Sequence, residues 1–208
     1  MASAAELPRD HDVTDVPAIV RGSVLLGLFE AVMVVLLSLA SRFLSGPLET
    51  AVLAVLLVVG LAAVTLLPGI WTRAFTVEGI AGAAGIGLGA AVVFLLIDVV
   101  LLQYIGTYTN RWWQIGGSNW WYHPIWWMVG TFVPWMGAFI LANQEARNGR
   151  ISAGAAFGTA VGFALVVAVI AVLVGFPGAR WNLPTFGLAF LPGLALATAL
   201  SALGTRRG

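Results

Sequence analysis

Apolar runs long enough to cross a lipid bilayer recur along almost the whole chain, and they leave it one kind of fold. From Val20 to Phe43 the sequence reads VRGSVLLGLFEAVMVVLLSLASRF, and comparable runs cover residues 48–71, 77–104, 124–143, 151–176 and 183–203. About 20 apolar residues, rising 1.5 Å each, match a hydrocarbon core of about 30 Å. Backbone amides that cross lipid must be bonded inside the segment or in a closed barrel. Runs this long, without two-residue alternation, read as helices. The expected fold is therefore an all-α integral membrane protein, a bundle of about six transmembrane helices. Composition agrees, since only 9% of the 208 residues are charged and 60% are hydrophobic. A soluble surface takes roughly 25% charged residues.

The spans divide the chain into a polar N-terminal tail (1–18), one transmembrane domain (19–204) and a short C-terminus (205–208). The tail carries four acidic residues ahead of the first apolar run and lacks the basic start of a secretory signal. Arginine sets the expected orientation. Arg9, Arg21, Arg73, Arg147, Arg150, Arg206 and Arg207 fall on one side of the six-span arrangement, against Arg42, Arg111 and Arg180 on the other. Seven against three puts both termini in the cytoplasm. Arginine without lysine, together with abundant Ala, Gly and Val, points to a bacterial source and hence to the cytoplasmic (inner) membrane.

Several chemistries are excluded by what the chain lacks. With no cysteine there are no disulfides, thiolate metal sites or cysteine nucleophiles. With no lysine there is no Schiff base. A net charge of +1 gives no electrostatic footprint for nucleic acid. No nucleophile–base–acid set can be assembled, so the chain is not expected to be an enzyme. GIGLGA at 85–90 lies inside an apolar span with the wrong spacing for a nucleotide loop.

Two acids interrupt the spans. Glu30 lies about 13 Å along the helix from Arg21, and Asp98 about 9 Å from Tyr104. A charge at such depth costs a few kcal/mol by insertion scales, so each acid is expected to face protein or water. Together they could relay protons or cations; separately, each could bond within the bundle.

The segment 110–127, NRWWQIGGSNWWYHPIWW, holds six of the nine tryptophans and is expected to be a periplasmic loop between helices 3 and 4. Interfacial indoles anchor at the headgroup level, yet so many exceed that need. Arg111, Trp112, Trp113, Trp120, Trp121, Tyr122, His123, Trp126 and Trp127, with Trp135 further along the fourth span, are read as a platform for a partner, lipid or flat cofactor. His123 offers a single ligand to a haem or chlorophyll-type pigment, but a metal site needs more donors than one histidine. Glycines at four-residue spacing, Gly85 with Gly89 and Gly154 with Gly158 and Gly162, mark faces where helices pack closely.

These features favour a non-catalytic integral subunit or accessory protein of a larger bacterial membrane complex, of respiratory or photosynthetic type. Its expected partners are the bilayer and other membrane subunits or further copies of itself. The competing reading is a small oligomeric transporter or channel working through Glu30 and Asp98.

Overall fold

The computed structural model describes residues 12–108 and 122–203, with residues 122–128 in backbone only. Within them the chain is all-helical, without strands. Helix α1 is Val16–Phe43, α2 Gly46–Trp71 and α3 Val77–Ile97, which continues into a π-helical turn at Asp98–Leu102. Helix α4 is Tyr122–Asn148, α5 Ala153–Leu173 and α6 Leu183–Leu203. Among the described residues, five candidate spans are long and apolar enough to cross a membrane: α1, α2, α3 with its π turn, α5 and α6. The chain is a multi-pass helical membrane protein in contact with lipid.

The helix starts follow from local chemistry. Asp15 accepts from the N–H of Ala18 at 3.3 Å, and Pro17 fits the first turn, where a missing N–H costs nothing. The hydroxyls of Thr76 and Ser152 cap α3 and α5 in the same manner. The Asp15 cap opens α1 at Val16, four residues before the expected start, so part of the tail is helical.

Other boundaries also move. The expected third span to 104 is α-helical only to Ile97, because the backbone then widens into the π turn. The polar NQEARN stretch, most of it beyond the expected end of the fourth span at 143, is the end of α4, which stops at Asn148 before Gly149 takes φ 62°. Helix α5 ends at Leu173 rather than 176, because Gly175 takes φ 68° and breaks the ladder.

Helix α4 is the hub, packed on α2, α3 and α6, while α1 lies parallel to α3 and α5 packs antiparallel on α6. Close approach is made by small residues. A Cβ on Gly89 would run into Ser23 of α1, one on Gly87 into Gly130 of α4, and one on Gly193 into the backbone of Ala164. The N-terminal segment is tied down as well. Asp12 accepts from the N–H groups of Phe75, Thr76 and Gly79 at 2.9, 3.2 and 3.0 Å, and from the Thr76 hydroxyl. Partial burial works against ionisation there, but these hydrogen bonds outweigh it and hold the Asp12 carboxyl below the usual aspartate value.

Candidate functional site

The two ends of the bundle differ. The near end gathers the N-terminal segment and the α2–α3 and α4–α5 connections, and the far end gathers the α1–α2 and α5–α6 connections. Both intramembrane acids lie between them, on the α1–α3 pair, and both are buried: Glu30 is 7% exposed and Asp98 0%. The pair runs in parallel, with Gly22 against Ile86 and Gly27 against Ala90 and Val93 before the π turn, and Ser38 against Thr107 after it. At that register Glu30 is level with about residue 95 of α3, roughly one helical turn below Asp98.

Similar burial hides opposite chemistry. Asp98 opens the π turn, where the widened backbone brings Gln103 round so that its side-chain amide donates to Oδ2 at 2.9 Å. The hydroxyl of Tyr108 donates to Oδ1. Both carboxyl oxygens are thus engaged by neutral donors from the same strand of chain. The far end is stapled further, since the Ser38 hydroxyl donates to the carbonyl of Thr107 and Arg42 donates to that of Gly106 at 2.5 Å. Asp98 is therefore the anchor of a local polar knot.

Glu30 has no such company. Its Oε2 is the only buried side-chain nitrogen or oxygen among the described residues without a hydrogen-bond partner. Leu26, Ile86 and Ala90 form an apolar cluster on the near side of it, and Ala31, Phe94 and Leu95 another beside it. No group of three or more His, Asp and Glu able to hold a metal occurs among the described residues.

The glycine faces sort differently from their spacing. Gly89 packs tightly on α1, but Gly85 has only an ordinary contact with Ile19 at 3.8 Å. Gly87, two positions away from each, makes the tight crossing with α4. On α5, a Cβ at Gly154, Gly158 or Gly162 would meet nothing within 4 Å, so among the described residues no other helix packs against these three glycines. The same helix instead uses Ala156, Ala160, Ala164 and Ala168, all buried, and its contacts run to α6.

Comparison with known protein families, curated proteins and solved structures finds no match. The site therefore rests on geometry. Of the expected platform, Arg111, Trp112, Trp113, Trp120 and Trp121 lie outside the described residues. Tyr122, His123, Trp126 and Trp127 fall in the first turns of α4, where the backbone alone is described. Trp135 is 39% exposed and packs against Phe139 in a tilted arrangement, ring centroids 5.7 Å apart.

Gln103 and Tyr108 were not singled out in the sequence. They follow Asp98 by five and ten residues, but an i to i+5 meeting arises only where a helix adopts π geometry. What the arrangement can do is narrow. It holds one satisfied acid, one buried acid with an open oxygen, and one helix face built for close approach with nothing against it.

Proposed function

We propose that this chain is a non-catalytic integral subunit or accessory protein of a larger bacterial inner-membrane assembly, with both termini cytoplasmic and α4 completing six spans. The supporting observation is the open glycine face of α5. In lipid, burial in a neighbouring helix offers no hydrophobic gain over burial in acyl chains, so helices associate through close backbone contact at small residues. Gly154, Gly158 and Gly162 form such a face, and no helix among the described residues fills it. A transmembrane helix of a partner subunit is the occupant proposed. The tryptophan-rich segment 110–127 adds a periplasmic docking platform, and His123 within it could hold a haem or chlorophyll-type pigment, which a visible absorption spectrum of the purified protein tests.

Extraction in mild detergent is the experiment for the subunit reading. A particle well above the 21.8 kDa chain with its detergent belt, containing a second polypeptide, is expected. A lone monomer from native membranes contradicts the reading.

A second reading, proton or cation handling, is favoured by the unpartnered oxygen of Glu30. Proton flux into liposomes measures it. Flux unchanged in a Glu30→Gln, Asp98→Asn double variant removes it.

A further inference from the structure

A cleft of about 520 Å³ opens at the near end of the bundle, between α1, the end of α2 and α3. Asp15 and Arg21 line it together with Gly22, Leu25, Trp71 and Ile86. Leu25 is the last α1 residue along it, five positions before Glu30, or about 7.5 Å of helix. Between the two lies Leu26, 0% exposed and packed with Ile86 and Ala90. A polar-mouthed cleft thus ends against a thin apolar plug, and beyond the plug is a buried carboxyl with an open oxygen.

We propose that Glu30 is a proton-binding site served from the near-end cleft, with Leu26 as the barrier between the cleft and the carboxyl. The proposal rests on the second reading above and gives that reading one side of access. An ionised carboxylate in such apolar surroundings needs a counter-charge or a proton. The elements packed around Glu30 supply no cation at its level. On its own helix the arginines are Arg21 at the near end and Arg42 at the far end. Helix α2 brings only Glu49, in its first turn. Helix α3 brings Glu78 in its first turn and then Asp98, whose oxygens are taken by Gln103 and Tyr108. A metal ion is disfavoured as the ligand, because calcium and magnesium need several oxygens and the described residues offer no such group. A proton needs one. Transfer is then simple: a hydronium ion or water in the cleft gives its proton to the carboxylate when Leu26 moves aside, and the carboxylic acid returns it by the same route.

The absence of native cysteine makes the test direct. Full-length Glu30→Cys protein in liposomes carries one thiol, probed with a membrane-impermeant cationic methanethiosulfonate. Asn148→Cys and Phe176→Cys serve as reference thiols for the near and far ends. Glu30→Cys is expected to react slowly and only with reagent on the Asn148 side, and a second change, Leu26→Ala, raises that rate several-fold. Infrared spectra of the wild-type protein are expected to show the carbonyl stretch of a protonated buried carboxyl, lost in Glu30→Gln. Reaction from the Phe176 side, no acceleration by Leu26→Ala, or a carbonyl band unaffected by Glu30→Gln overturns the proposal. None of these readouts measures transport, so a failed flux assay removes the transport reading without imitating failure here.

Discussion

Helix α5 has two small-residue faces, and among the described residues only one of them is used by its own chain. Ala156, Ala160, Ala164 and Ala168 are buried, and the helix packs mainly on α6, where Gly193 has no room for a side chain beside Ala164. Gly154, Gly158 and Gly162, about half a turn round the same helix, meet nothing. Glycine in a helix interior costs roughly 1 kcal/mol relative to alanine in water-soluble hosts. A helix that already closes its internal contact with alanine gains nothing within the chain from three glycines on its other side. The difference teaches that four-residue spacing marks a face capable of close approach, and that only the tertiary structure says whether the approach happens within the chain.

The largest effect is expected where the used face has no slack. Gly193→Leu drives a side chain into the backbone of Ala164 and should cost about 3 kcal/mol or more, the upper end for overpacking. Thermal unfolding in detergent should show a large drop in Tm or no folded protein, and a near-normal Tm would mean that the α5–α6 contact is looser than described. The two buried acids repeat the contrast between used and unused groups. Asp98→Asn turns an acceptor into a partial donor facing Gln103 and Tyr108, and a lost or unmet buried hydrogen bond costs about 1–3 kcal/mol. Glu30→Gln breaks no bond to Oε2 and should leave Tm nearly unchanged. Equal losses for the two variants would erase the distinction between them.

Asp12 gives a smaller, polar version of a used contact. Its carboxyl is held below the ordinary aspartate value by its hydrogen bonds, so its stabilisation is present above that ordinary value. It is lost as pH falls through the lowered one. Asp12→Asn should lower Tm slightly at neutral pH and have progressively less effect as acid is added below about pH 4. A difference that grows in acid would contradict the strap. The smallest effect on folding belongs to the open face, where Gly158→Leu should change the stability of the chain by no more than about 0.5 kcal/mol.

Much of the architecture was legible because bilayer thickness sets run length: the apolar runs locate all six helices. Their ends were less so. Asp15 and Pro17 spell out the α1 start in recognisable cap chemistry, whereas the end of α4 runs through NQEARN, which reads as a turn until Gln144 is seen accepting from the N–H of Ser152 at 2.9 Å. Glu30 and Asp98 stand out as charges in apolar runs, but nothing in one dimension separates them. The separation comes from the π turn, which recruits Gln103 and Tyr108 to one acid and leaves the other alone. The tight glycines fared similarly: Gly87 and Gly193 belong to no four-residue glycine repeat, and what makes them tight is the helix that happens to cross there.

The most direct test of the assembly reading is the size and content of the particle carrying this chain, extracted from native membranes in mild detergent, for wild type and Gly158→Leu side by side. A large particle with a partner polypeptide is expected for wild type, and release of a folded monomer, with Tm unchanged, is expected for Gly158→Leu. A wild-type particle of monomer size, or a large particle indifferent to the leucine, would contradict the assembly reading.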